Sequence, residues 1–302
     1  MHAGGPQRGA HLGELGLIED GALAVQDGRI VAIGTTTKLR AQYSAVNEID
    51  AAGHAVIPGF VDPHTHVVWA GDRAGEFEMR VAGKAYMDIM AAGGGILSTV
   101  RATRATSLEE LVAQTRSRLA RMLAYGTTTV EAKTGYGLET ATEIKMLDAI
   151  RRLQVEQSIE LVPTFLGAHA IPAEYKERPD AYVDLVVDEM LPAFRLRISN
   201  FRPPVFCDVF CEDGAFTLEQ TRRILTRAKE LGFALKIHVD EFEPLGGSRL
   251  GVELDATSVD HFVTTPPAQV KAVARSNVIA VSLPGTPFGL GHIEYSPARR
   301  LL

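Results

Sequence analysis

Two histidines separated by one residue are the clearest chemical signal in the chain. In Pro58-Gly59-Phe60-Val61-Asp62-Pro63-His64-Thr65-His66 an apolar run reads as a strand that delivers both imidazoles. Side chains alternate along a strand, so positions i and i+2 share a face and can grip one metal ion. A third ligand should come from another strand end, and Leu235-Lys236-Ile237-His238-Val239-Asp240-Glu241 offers His238 where an apolar run stops. Glu241, three residues on, falls in the following loop, within reach of a proton to accept or deliver. Ser258-Val259-Asp260-His261 places His261 on the same rim. Any one of these could be an ordinary surface histidine, but three strand ends presenting histidine together point to a metal site.

Other residue types complete a mouth around that site. Phe165-Leu166-Gly167-Ala168-His169 ends a strand on His169, which reads as a substrate contact because three ligands are already placed. Tyr136, between Gly135 and Gly137, is free to point inward. Arg73 follows His66 by seven residues, in a loop with Asp72 and Glu76. Its planar donor fork suits a substrate carboxylate. No lysine ends the fourth strand (Phe206-Cys207-Asp208-Val209-Phe210), so one metal is expected rather than a lysine-bridged pair. Asp208, Glu212 and Asp213 have no partner implied by spacing and are assigned to loop solvation or capping.

These residues need a scaffold that brings strand ends to one rim. From Gly59 on, short β-branched or aromatic runs alternate with helical patterns of period 3.6, the signature of βα units and a parallel sheet. Seven such strands begin near Phe60, Thr127, Glu160, Val205, Ala234, Ser258 and Val278. Capping-box spacing is present at Ser107/Glu110, Thr140/Glu143 and Thr217/Gln220, and Gly126 and Gly232 sit where a left-handed residue would end a helix. No Gly-x-Gly-x-x-Gly follows the first strand, so the pattern favours an α/β fold of the (β/α)8 TIM type over a doubly wound sheet. The count stops at seven: the barrel is expected to lack its eighth strand. Ahead of it, Asp27-Gly28 predicts a hairpin between residues 22–25 and 29–33, and residues 48–49 and 55–57 predict a second strand pair. The expected domains are therefore a partial β-sandwich over 1–57 and the barrel over 58–302.

Composition excludes several other classes. The 302 residues carry 31 basic and 37 acidic side chains, a net charge of −6, so no basic face is available for nucleic acid or an anionic membrane. No apolar run is long enough to cross a bilayer and the polar start has no secretory core, so the chain reads as cytoplasmic. Cys207 and Cys211 are too few for a disulfide framework and read as reduced core thiols.

These motifs resemble the amidohydrolase superfamily and, within it, the imidazolonepropionase family. The superfamily pattern is carried by residues 58–66. The narrower likeness lies in Ala70-Gly71-Asp72-Arg73 with Glu76-Phe77-Glu78-Met79-Arg80, in residues 92–100, in Lys133-Thr134-Gly135-Tyr136-Gly137-Leu138, in His238-Val239-Asp240-Glu241-Phe242 and in Val259-Asp260-His261. The resemblance implies hydrolysis of 4-imidazolone-5-propanoate to N-formimino-L-glutamate in histidine degradation. One zinc or iron ion would be held by His64, His66, His238 and an aspartate on strand eight. Arg73, Tyr136 and His169 would contact substrate, while Glu241 and His261 would work around the attacking water and the ring. The partner is then a small molecule bearing a propionate, with a homodimer as the open question of assembly. The chain stops before that eighth strand and its aspartate. The expectation is a fragment with two open strand edges, poor stability and weak activity at best. The alternatives are a related heterocycle deaminase or aminohydrolase, against which Arg73 and Tyr136 argue, and an inactive metal-binding fragment.

Overall fold

The structure, a computed structural model, describes residue 7 and residues 9–84, 94–199, 201 and 204–301. The chain divides into two compact units, one comprising residues 1–58 with residue 302 and one spanning Gly59–Leu301.

In the first unit, strands β1 (Gly21–Gln26) and β2 (Arg29–Thr35) form an antiparallel hairpin. Asp27 and Gly28 both take positive φ, 52° and 73°, which matches the right-handed twist of the paired strands. The Thr35 hydroxyl accepts from Lys38 N and starts the helix Thr36–Gln42, whose Leu39 is the one buried hydrophobic residue among the described residues of this unit. The second strand pair is not formed. Residues 48–49 and 55–57 are irregular, with Ile49 94% and Val56 64% exposed. Runs of two and three residues offer too few ladder hydrogen bonds to hold a pair by themselves.

The second unit is a parallel sheet of seven strands in sequential order: β3 (Phe60–Asp62), β4 (Thr127–Lys133), β5 (Glu160–Ala168), β6 (Phe206–Cys211), β7 (Ala234–Val239), β8 (Ser258–His261) and β9 (Ile279–Ser282). These starts fall within one residue of those read from the sequence. The sheet curls, because the end of β3 reaches the opposite strands: His64 Nδ1 lies 2.6 Å from Asp260 Oδ2, and Lys236 Nζ donates to Pro63 O at 2.5 Å. The architecture is α/β, a partly closed TIM-type barrel with helices outside.

Helices cover the outer face with the apolar stripes their spacing foretells. Leu111 and Leu119 of the helix Leu108–Ala124 and Ile150 and Leu153 of Thr140–Glu156 pack on Val130 and Leu161 of the sheet. Of the three expected capping boxes only Thr217/Gln220 is complete. Ser107 accepts from Glu110 N, but the Glu110 carboxylate takes Gln114 instead. Thr140 is not a cap: Glu139 holds that position, and Glu143 is turned to another task described below. Gly126 and Gly232 do end their helices, at φ 93° and 84°. The Pro-Gly-rich run after β9 contains the short helix Gly285–Leu290.

Candidate functional site

The C-terminal ends of β3, β5, β7 and β8 bring five imidazoles together. β3 itself stops at Asp62, so His64 and His66 lie just beyond it on an extended segment. That segment is held against β4 by Lys133 N donating to Thr65 O at 3.2 Å and by the Thr65 hydroxyl on Glu131 O. Ring centroids of His64 and His66 are 5.4 Å apart, His64 and His238 4.5 Å, and His66 and His238 5.4 Å. His261 stands 5.0 Å from His238, and His169 stacks on His66 at 4.7 Å. His261, ending β8 at φ 78°, is held in the left-handed region that favours glycine, a constraint that aims its ring at the cluster.

The donor chemistry fits a metal ion. Burial pushes every one of these imidazoles down, His169 and His261 to about 3 and His64, His66 and His238 well below their ordinary value, so all are neutral at pH 7. Neutral imidazole is the ligating form. His66 Nε2 and His238 Nε2 face each other at 3.3 Å. Two nitrogens at about 2.0–2.1 Å from one tetrahedral zinc stand about 3.4 Å apart, so these two lone pairs are already at ligand spacing. Ligand atoms of His64, His238 and His261, and of His66, His169 and His238, lie within 4.8 Å of one another. Neither triple is the His64, His66, His238 set drawn from the sequence, although those three rings are mutual neighbours.

Beneath the histidines lies a group of buried charges. Lys133 Nζ reaches Asp208 Oδ2 at 2.6 Å and Glu131 Oε2 at 2.9 Å; Lys236 Nζ reaches Glu131 Oε2 at 2.9 Å and Asp260 Oδ2 at 3.2 Å. All five side chains are at most 5% exposed. Burial opposes the charge on Asp260, yet Lys236 and Lys133 outweigh it and hold the carboxyl below its ordinary value. Asp260 meets His64 Nδ1, and Asp208 Oδ2 lies 2.8 Å from His238 Nδ1, off the line of a good hydrogen bond. Asp208 is therefore no loop residue; it is fully buried on β6 under His238.

Sequence reasoning missed this layer, but a signal was present. Charged residues inside strands whose two faces are both covered must be paired. Lys236 shares a face with His238, and Glu131 with Lys133, by the same alternation that singled out His64 and His66.

Glu212 is a cap, as expected, but a buried one: its carboxylate accepts from the backbone N–H groups of Asp213, Glu241, Phe242 and Glu243. Asp213 is exposed. The loop so fixed holds Glu241, whose Oε2 stands 3.5 Å from His261 Nδ1. Burial, and secondarily the Glu212 carboxylate, pushes Glu241 up to about 8. Glu241, Phe242, Thr264 and His292 border a cavity of about 460 Å³.

On the opposite wall, Tyr136 lies 5.7 Å from His66 and 5.2 Å from His169, ring to ring. Arg73 donates Nε to Thr99 Oγ1 at 2.9 Å, while its buried Nη2 has no partner among the described residues. Its charge acts on both Tyr136 and His169. Thr99 belongs to the 92–100 motif, of which residues 92 and 93 lie outside the described residues.

Comparison with known proteins supports the fold and identifies the family. Residues 21–43 match the family model for the imidazolonepropionase-like composite domain of bacteria. Among solved structures, guanine deaminase from C. acetobutylicum superposes with a TM-score of 0.65 at 15% identity, over 94% of this chain and 67% of that one. Atrazine chlorohydrolase from Arthrobacter aurescens, determined with zinc, gives 0.58 at 14% over 92% and 64%, so the chain spans less than two thirds of that structure. At those identities the likeness shows the fold alone. The imidazolonepropionase of Herpetosiphon aurantiacus is 59% identical over 98% of this chain and 70% of its own length, and that of Chloroflexus aggregans 52% over 99% and 71%. Identity at that level over nearly the whole chain makes this chain a member of the imidazolonepropionase family.

Proposed function

We propose that this chain carries out metal-dependent hydrolysis of the cyclic amide C–N bond of 4-imidazolone-5-propanoate, giving N-formimino-L-glutamate. The observation that carries the reading is the cluster of neutral imidazoles with His66 Nε2 and His238 Nε2 at ligand spacing, beside an arginine whose buried Nη2 has no partner among the described residues. His64, His66 and His238 would hold one zinc or iron ion. Such an ion supplies a water of pKa near 7 and polarises the ring carbonyl.

The chain's own residues supply binding and proton movement. Arg73, fixed through Nε, turns Nη2 to the substrate propionate in a charge-assisted contact. His169 donates Nδ1–H to Gly135 O at 3.0 Å, which leaves Nε2 to accept from the substrate, and Tyr136 closes the same side. Glu241, poised near neutrality, takes a proton from the attacking water at its carboxylate and returns it to the departing ring nitrogen. His261, held in its strained position beside Glu241, faces the ring. Residues 1–57 form the partial β-sandwich of the assembly and 58–302 its catalytic barrel. A propionate-bearing small molecule is the partner in this reading, with neither nucleic acid nor a membrane involved, in the cytoplasm; a homodimer is its assembly to test.

The test is the ultraviolet decay of 4-imidazolone-5-propanoate with purified, metal-loaded protein, paired with metal analysis of His66→Ala. Turnover to N-formimino-L-glutamate and loss of most bound metal in the variant are expected. A folded, metal-loaded chain that leaves this substrate intact refutes the activity, and stoichiometric metal in His66→Ala refutes the ligand set.

A further inference from the structure

The Glu143 carboxylate, freed from the helix cap that its spacing foretold, does something else. Its side chain is 1% exposed. Oε2 accepts from Gly135 N at 3.0 Å, and Oε1 accepts from Gly137 N at 2.8 Å and Leu138 N at 2.9 Å. From the other side Arg104 donates Nε to Gly137 O at 2.7 Å and Nη2 to Leu138 O at 3.1 Å. The turn between them is one that few sequences hold unaided: Leu138 sits at φ 51°, and a Cβ on Gly137 would fall 2.6 Å from Glu143 N and 2.8 Å from its Oε1.

That turn governs two groups of the wall. It carries Tyr136, and its Gly135 carbonyl meets His169 Nδ1. A carbonyl can only accept, so Nδ1 carries the proton and Nε2 is left as the acceptor facing the site.

We propose that Glu143 is a positioning residue for ligand recognition: by gripping the 135–138 turn from below it sets the place of Tyr136 and the Nδ1–H form of His169. The inference rests on the reading of Tyr136 and His169 as substrate contacts. Glutamine cannot replace the carboxylate. Three N–H groups face two oxygens, and with one oxygen exchanged for NH₂ at least one backbone N–H meets a donor.

The test uses the metal-loaded full chain and imidazole-4-propionate as the probe, titrated by calorimetry. In parallel, ¹⁵N-histidine spectra report the His169 tautomer, assigned by its loss in His169→Gln. Glu143→Gln should bind the probe on the order of 10-fold more weakly, lose the Nδ1–H signature of His169 and keep its metal stoichiometry. Gly137→Ala, which pushes the turn off the carboxylate, should do the same and carries the test if Glu143→Gln does not fold. Wild-type affinity with an unchanged tautomer in these variants, while Tyr136→Phe weakens binding, overturns the role of Glu143 alone. Wild-type affinity in Tyr136→Phe and His169→Gln overturns the reading of those two as contacts, and the proposal with it.

Discussion

Beneath the histidines, Lys133 and Lys236 meet Glu131, Asp208 and Asp260 through side chains from four different strands; beside them, Tyr136 and His169 are held by the backbone of one turn, and Arg73 by one hydroxyl of a neighbouring helix. The floor is thus a closed set of charges taken out of water, stable only while every member has its counter-ion. The wall is a set of local contacts rather than a network of paired charges. The contrast assigns different consequences to damage: in the floor it should reach folding and metal together, and in the wall it should reach substrate alone.

Lys133→Met is the strongest way to try that contrast. It strands three carboxylates with one ammonium, and removing one partner of a buried pair costs about 3–5 kcal/mol. Denaturant unfolding of the metal-free protein should show that loss, and metal affinity should fall with it, because Asp208 and Asp260 stand against the Nδ1 atoms of His238 and His64. A loss under about 1 kcal/mol, the range of exposed ion pairs, would make the floor no more demanding than the surface.

Arg73→Ala tries the wall. A charge-assisted contact to the propionate is worth about 1.5–3 kcal/mol, or roughly 10- to 150-fold in KM, with kcat little changed because the propionate does not react. Stability of the metal-free protein should stay near that of the parent. A KM within about twofold returns Arg73 to a structural role, and an equal loss in kcat would merge wall with reacting centre.

Glu241 sharpens the comparison with the floor carboxylates, since it has burial without a lysine within ion-pair distance among the described residues. Asp260 is held down; Glu241 is pushed from 4.5 to about 8. Between those two values the native state keeps a proton on Glu241 that the unfolded chain has lost, so the contribution of this group to metal-free stability falls as pH rises from about 5 to 8, against the opposite slope that the neutral imidazoles impose below about pH 6.5. The slope is at most about 1.4 kcal/mol per pH unit. Glu241→Gln, which cannot titrate, should lack that contribution, so the stability of the parent relative to the variant should fall over this range. Parallel stability profiles for the two proteins would show the Glu241 carboxyl to be solvated like any surface glutamate.

Much of this was legible in the chain. The seven barrel strands and the histidines at their ends follow from a period of two and from apolar runs bounded by turn residues, both local properties. Asp208 was misplaced because a charge on a strand announces that it needs a partner without saying which one; Lys133 is 75 residues away. Thr140 and Glu143 have the spacing of a capping box, and spacing alone could not reveal that three N–H groups of the preceding turn would compete for the carboxylate and win. The residue 48–49 and 55–57 runs failed for the opposite reason: strand-like composition without enough length to pair.

The sequence by itself determined the alternation of strand and helix, the rim on which the histidines stand and the turn that carries Tyr136, because each depends on neighbours a few residues apart. Only the tertiary structure decided which imidazole nitrogen is free and which carboxylate is charged. Those states are set by desolvation and by ions brought within about 3 Å across the curled sheet, His64 to Asp260 over 196 residues of chain. No local pattern encodes a distance of that kind.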